Sequence, residues 1–197
     1  MMVTVFDKTV SIIIPVAPEE TAHEKLLKDL ENCGAEIIVS SEGGRAQSLN
    51  VGAGKAQREF LWFLHADSRV TAENMQILQR CLKREPTAAH YFFLNFGFGL
   101  HAFNAWGANV RSVFFGLPYG DQGLCLSKEN FEKLGGYPEA TCGEDLLFVR
   151  KAKKAGVPLR YVPSKLRSSA RQYYEQGWLK LTIVRQWQFW KLMRQKI

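Results

Sequence analysis

At 197 residues, 46% hydrophobic and free of repeats or low-complexity tracts, the chain has material for one substantial core, which argues for a single domain over residues 1–197. Its net charge of +7 is uneven: residues 160–197 carry nine Lys or Arg against Glu175 alone, so the body is near neutral, which argues against a nucleic-acid binder. Cys33, Cys81, Cys125 and Cys142 form no Cys-x-x-Cys pair and read as reduced structural thiols; no apolar run reaches the ~20 residues that span a bilayer, and Met1 to Lys8 lacks a basic leader, so a cytoplasmic location is expected.

Val10 to Val16 is β-branched and apolar, a first buried strand. Pro18-Glu19-Glu20 opens a helical segment with apolar spacing at Leu26, Leu27 and Leu30, stopped by Gly34. Glu36 to Val39 is a second short strand, Ser40 to Arg45 a glycine-containing loop, and Ala46 to Gln57 a helix with two internal glycines. Phe60 to Leu64 is an uninterrupted apolar run, followed at once by His65, Ala66 and Asp67. Such a run reads as a central strand buried on both faces, and buried parallel strands deliver ligand groups at their carboxyl ends. Asp67 therefore has two readings, a site residue or a cap of the helix predicted from about Thr71 to Arg84.

His90 to Phe98 is an aromatic alternating strand, expected as an antiparallel or edge element. Gly123 to Ser127 is a short strand, Lys128 to Leu134 a short helix, Glu144 to Ala155 a helix, and Leu159 to Val162 the last strand. The tail from about Gly177 to Lys196 is helical by pattern, with Leu179, Ile183, Trp187 and Trp190 on one stripe and Lys180, Lys191 and Arg194 away from it. This alternation predicts an α/β fold, a mostly parallel central sheet flanked by helices, with a C-terminal amphipathic helix.

Gly52-Ala53-Gly54-Lys55 invites two nucleotide motifs, and both fail. A P-loop needs glycine at Leu49 and Ser or Thr at Ala56, and the dinucleotide fingerprint needs glycine near Gln57. The glycines instead let this helix approach the sheet closely. Glu144-Asp145 lead directly into an amphipathic helix, where the helix dipole favours acids without any chemistry being required. Their company is more informative. Gly120-Asp121-Gln122-Gly123 and Gly135-Gly136-Tyr137-Pro138-Glu139 lie upstream, and loops separated by such short elements can converge on one cleft.

Taken in order over most of the chain, these pieces resemble the family 2 glycosyltransferases, which have the GT-A fold, and among them a group of short soluble bacterial members. Ser11-Ile12-Ile13-Ile14-Pro15 with Glu19-Glu20 resembles the first strand and loop; Gly44-Arg45-Ala46 with Leu49-Asn50-Val51-Gly52 resembles the donor-side helix. Phe63-Leu64-His65-Ala66-Asp67 stands where the family carries its metal-binding DXD motif, with His65 at the first acid. Gly120-Asp121-Gln122-Gly123, Leu134-Gly135-Gly136-Tyr137 and Glu144-Asp145 resemble the acceptor-side strand, the turn and the catalytic acid pair.

The resemblance implies transfer of a sugar from a nucleoside-diphosphate donor to an acceptor hydroxyl, with inversion. A divalent Mn or Mg ion at Asp67, with His65, would neutralise the departing diphosphate. Asp145 would take the proton of the hydroxyl, a poor nucleophile, with Glu144 beside it and Asp121 orienting a sugar. Donor contacts would fall at Pro15, Glu19, Arg45, Asn50, Ala66, Asp67 and Arg171, the two arginines toward the diphosphate, although each arginine is equally a candidate surface ion-pair partner.

Departures from the pattern keep other readings open. The family's acid after the second strand is replaced by Ser40-Ser41, and the passage to Gly44-Arg45 is abrupt, so residues 1–70 read as an abbreviated nucleotide-binding half, 85–165 as an acceptor half and 170–197 as a basic aromatic helix. A catalytically weakened pseudo-glycosyltransferase or a nucleotide- or sugar-binding module is the alternative. Nucleotidyl transfer would ordinarily need a Gly-rich basic loop after the first strand, where this chain has Ala17-Pro18-Glu19-Glu20. Polymer synthesis is unsupported without Gln-x-x-Arg-Trp. In the tail, Trp178, Trp187 and Trp190 interleave with Lys180, Arg185, Lys191 and Arg194. This suits either an interfacial helix at the inner face of the membrane or a stripe packed on the domain or on a second copy in a homodimer.

Overall fold

The computed structural model describes residue 6 and residues 8–140 and 143–195; Cys142, Lys196 and most of the segment from Met1 to Lys8 lie outside the described residues. The first half alternates as the pattern requires: β1 (Val10–Pro15), α1 (His23–Asp29), β2 (Glu36–Ser40), α2 (Arg45–Lys55), β3 (Phe60–Phe63) and α3 (Ala72–Arg84). Helix α1 starts later than Pro18, and Glu19 has a φ of +65°, outside any right-handed helix, so Pro18-Glu19-Glu20 forms a loop. Helix α3 is capped by Thr71, whose hydroxyl accepts from the Asn74 amide at 3.2 Å while the Asn74 side chain accepts from the Thr71 amide at 2.9 Å. Asp67 takes no part in that cap, which removes the capping reading.

The second half contains β4 (Ala89–Asn95), α4 (His101–Phe115), a 3₁₀ turn (Gly120–Gln122), β5 (Cys125–Ser127), α5 (Lys128–Lys133), α6 (Glu144–Lys154), β6 (Leu159–Arg167), α7 (Arg171–Gln176) and α8 (Trp178–Met193). The six strands form one sheet in the order β2-β1-β3-β5-β4-β6. Strands β1, β2 and β3 are mutually parallel, β4 is parallel to β6, and β5 runs against both β3 and β4. The strand running against the rest is therefore β5, and the aromatic strand β4 is interior, between β5 and the edge strand β6. Strand β6 continues five residues past Val162. Pro163 and Ser164 are absorbed by a register shift opposite Phe92 and Phe93, a bulge of the kind that lets an edge strand hold a proline.

Side chains alternate across this sheet into two cores. Ile13, Leu61 and Phe63 face α2, α5 and α6, where they meet Leu49, Phe131 and Phe148; Ile12, Ile14, Phe60, Trp62 and Phe92 face the opposite layer with Leu26, Met75 and Leu78. A third cluster joins the end of β4 to α4, α7 and α8 through Leu94, Ala105, Ala108, Tyr173 and Leu181. Helix α4 went unpredicted because it lacks the signals that mark one: no side-chain cap, no acid in its first turn and no base in its last. Its stop is conventional, with Gly116 left-handed at φ +61°.

The tail helix forms as predicted but with the opposite face inward, and Lys191 lies beside Trp187 of the stripe instead of away from it. Leu181 and Leu192 are buried and Phe189 packs partly against the core, whereas Leu179, Ile183, Trp187 and Trp190 are exposed. Among the described residues no helix is long and apolar enough to cross a membrane, and Cys33, Cys81 and Cys125 are free thiols.

Candidate functional site

Five strands share one direction, so the loops after β1, β3, β4 and β6 all emerge at one edge of the sheet. Because β5 runs the other way, its entry turn at residues 120–123 arrives at that same edge. There lies an open cleft of about 1360 Å³, walled by residues 17–22, 24 and 25 after β1, 95–98 at the end of β4, and 167–171, 174 and 175 at and after the end of β6, with Asp67 of the β3 loop among its lining residues. Among the described residues the Asp67 carboxylate has one weak hydrogen bond, from the Ser168 hydroxyl at 3.4 Å. Burial raises its pKa above the ordinary aspartate value, opposed by His65 and reinforced by the nearby carboxylates of Asp121 and Glu20.

Beside Asp67 a chain of contacts runs inward. His65 donates from Nδ1 to Asp121 Oδ1 at 2.6 Å, and its Nε2 accepts from Nη2 of Arg45, because a guanidinium nitrogen only donates. The same Nη2 reaches Asp145 Oδ2 at 2.9 Å, and Arg45 Nε lies 3.2 Å from Glu144 Oε1. Gly120 is required here by close approach: a Cβ on it would collide with the Asp145 carboxylate and with His65 Nε2. The turn that holds Asp121 is pinned from below by fully buried Gln122. Its amide donates to the Phe92 carbonyl at 2.9 Å and accepts from the Ser112 hydroxyl at 2.8 Å and from the Tyr119 amide at 3.0 Å. Burial alone would raise the Asp121 carboxyl. The His65 ring, with Arg45 and Arg185 nearby, outweighs it and holds the group well below the usual carboxylate range.

The residues anticipated from sequence therefore divide. Asp121, His65, Arg45, Glu144 and Asp145 form one cluster, and Asp67 adjoins it from the cleft. Arg45 is spent on the acid pair. Asn50 is structural: its side chain donates to the Tyr137 carbonyl and accepts from the Tyr137 amide, both at 2.8 Å, tying α2 to the Gly135-Gly136 turn. Pro15 ends β1 opposite Ser40, and Ala66 is buried between His65 and Asp67. Glu19 and Arg171 line the cleft, where Arg171 makes long, exposed pairs with Glu20 at 3.6 Å and Glu175 at 3.5 Å, weak contacts that an anion can displace. Glu42, two residues beyond β2, is an acid near the position where none was expected. Hydrogen bonds from Lys55 and Ser40 hold it at about 2. Sequence reasoning missed Ser112 and Ser168 outright, and quoted Gln122 without its role; a buried amide's partners leave no local signal.

Asp67 suits a hard divalent cation: an oxygen donor on a cleft floor with its lone pairs nearly unspent, in the manner of sites where one or two carboxylates are completed by substrate phosphates. His65 does not suit one as it stands, since both ring nitrogens are engaged. Among the described residues no group of three or more His, Cys, Asp or Glu is arranged to hold a metal by itself.

The fold is shared with solved structures of other proteins. No protein-family model matches the chain, and no curated protein matches it in sequence. Solved structures do. The mannosyltransferase PcManGT from Pyrobaculum calidifontis, in complex with GDP-Man and Mn2+, superposes with a TM-score of 0.63 at 14% identity, over 81% of this chain and 56% of that one. S. aureus TarS 1-349 superposes with a TM-score of 0.61, also at 14% identity, over 85% of this chain and 62% of that one. This chain thus spans less than two thirds of either neighbour.

Proposed function

We propose that the protein transfers a sugar from a nucleoside-diphosphate donor to an acceptor hydroxyl, with inversion and with a divalent cation, Mn or Mg, at Asp67. The observation that carries this reading is Asp67 itself: a half-buried, nearly unspent carboxylate at the carboxyl end of the central strand, lining the large cleft. The structural likeness to a mannosyltransferase solved in complex with GDP-Man and Mn2+ supports it.

When bound, the cation supplies neutralisation of the diphosphate leaving group. Arg171, which lines the cleft, adds a guanidinium to the same task, and Glu19, also on its lining, is our proposed further donor contact. Asp145 is the proposed base, positioned by Arg45 and by the close backbone of Gly120; Asp121 holds the His65 ring, which in turn fixes Arg45. Inversion follows from direct in-line attack by the acceptor hydroxyl, whose proton passes to Asp145 as the bond to the diphosphate breaks.

One observation favours a second reading, a binding module without turnover. Asp145 is paired to Arg45 and does not line the large cleft. A calorimetric screen of nucleoside diphosphates and sugar nucleotides, with and without Mn, tests the first point: metal-dependent binding is expected, and Asp67→Asn should abolish its metal-dependent part. Binding that this variant leaves unchanged puts the cation elsewhere. Asp145→Asn separates the two readings. For an enzyme, transfer falls by about 10²–10⁴ with donor affinity preserved; a binding module shows no transfer to lose.

A further inference from the structure

Helices α4 and α8 lie against each other and leave an apolar face uncovered. Asn104 of α4 accepts from the Trp178 indole at 2.6 Å and donates to the Thr182 hydroxyl at 3.0 Å, while Ala105 and Ala108 meet Leu181 beneath. The inner faces are thus spent on the third core cluster. Outward, α4 presents Phe103, Trp106 and Phe114 at 68%, 67% and 76% exposure, and α8 presents Ile183, Trp187 and Trp190 at 60%, 64% and 61%. Soluble proteins rarely display so many large apolar groups together unless something covers them.

Charge decides what that is. Neither helix contains a single Asp or Glu, and Lys180, Lys191 and Arg194 are exposed along α8. The Lys191 ammonium lies 5.3 Å from the Trp187 ring, an apolar body and a cationic head side by side, as at a lipid headgroup boundary. Two copies of this face meeting about a twofold axis would set the cations of one against those of the other with no acid on either helix to offset them. We infer that the α4–α8 face docks peripherally on an anionic lipid surface, the aromatic side chains entering the headgroup layer and the lysines meeting lipid phosphates.

The face adjoins the cleft. Phe98 and His101, at the entry to α4, and Tyr174 and Glu175, just before α8, line that opening. On the inner side, Leu192 of α8 occupies the space left free at Gly143, immediately before Glu144-Asp145. A docked protein therefore holds its cleft at the bilayer.

The test is co-sedimentation of the full chain with phosphatidylcholine vesicles, with and without phosphatidylglycerol, at low and high salt. Binding to the anionic vesicles is expected, with little to the neutral ones and a decline as salt rises. The variants Trp106→Ser/Trp187→Ser and Lys180→Gln/Lys191→Gln remove only exposed side chains, so thermal melts should match the parent. Each should weaken anionic-vesicle binding by at least about tenfold. Failure of the parent to bind, equal binding to both vesicles, or unaffected binding by the variants overturns the inference. A dimer in sedimentation velocity that the tryptophan variant dissolves overturns it in favour of a second copy. Vesicle binding requires no donor, so its outcome is independent of the glycosyl-transfer reading.

Discussion

Asp67 and Asp121 are neighbours whose environments push them in opposite directions, and this makes them separable in solution. Burial raises Asp67, so the folded state binds its proton more tightly than the unfolded chain does. Its ionisation costs stability as pH rises from about 4, the unfolded aspartate value, through the raised folded value. Asp121 is depressed, so its contribution is fully present above about pH 4 and is lost as pH falls toward the folded value. Thermal melts from pH 3 to 8 should show Asp67→Asn stabilising the metal-free protein at neutral pH, within the roughly 0.5–2 kcal/mol usual for single stabilising substitutions, with the gain vanishing on acidification. Asp121→Asn should cost about 1 kcal/mol at neutral pH, because its amide oxygen still accepts from His65 Nδ1 but the bond is no longer charge-assisted. A neutral-pH loss in Asp67→Asn would show that its carboxylate is held by partners, contrary to its one weak hydrogen bond. The same raised value means that metal-dependent donor binding should fade on acidification at a pH above that of an ordinary aspartate.

At the scale of elements, the site depends on ties between helices and turns that are distant in sequence. Asn50 closes two hydrogen bonds onto the backbone of Tyr137, and Gly136 has no room for a side chain against the Asn50 oxygen. Asn50→Ala leaves both backbone groups of Tyr137 without these partners and should cost about 2–3 kcal/mol in urea unfolding, while donor affinity changes little. The strands were legible where the apolar run itself carries the information: Ile12 to Ile14 and Phe60 to Phe63 are buried whatever their neighbours do. Strand β6 runs on past Val162 because its edge position and bulge accommodate Pro163, which no local pattern announces. Helix α4 was missed because its amphipathic pattern is hidden by aromatic groups on the solvent side, where polar residues normally mark the exposed face.

Across the whole molecule, α8 binds the two halves of the structure together. Leu181 belongs to the cluster at the end of β4, Leu192 to the core between the sheet and α6, and Arg150 of α6 donates to the Leu192 and Gln195 carbonyls. Two buried leucines at about 2–5 kcal/mol each rival the whole stability of a domain, about 5–15 kcal/mol. A chain truncated before Gly177 should therefore have no cooperative thermal transition, or one lowered by at least about 10 °C. A near-parental melt would show that the body folds without its tail. For this reason the lipid surface is tested with point substitutions on the outer face.

The sequence by itself determined the alternation of strands and helices, the buried central strand and the placing of Asp67 just beyond its end, because burial and period are local properties of the residues. It also located every acid of the cluster. Only the tertiary structure decided that β5 runs backward and so brings Asp121 to the edge where Asp67 emerges. Tertiary contacts likewise direct Arg45 to Glu144 and Asp145 and turn the tryptophan stripe of α8 outward. Each of these depends on which distant group stands opposite, and a hydrophobic or charged residue carries no record of its partner until the chain has closed around it.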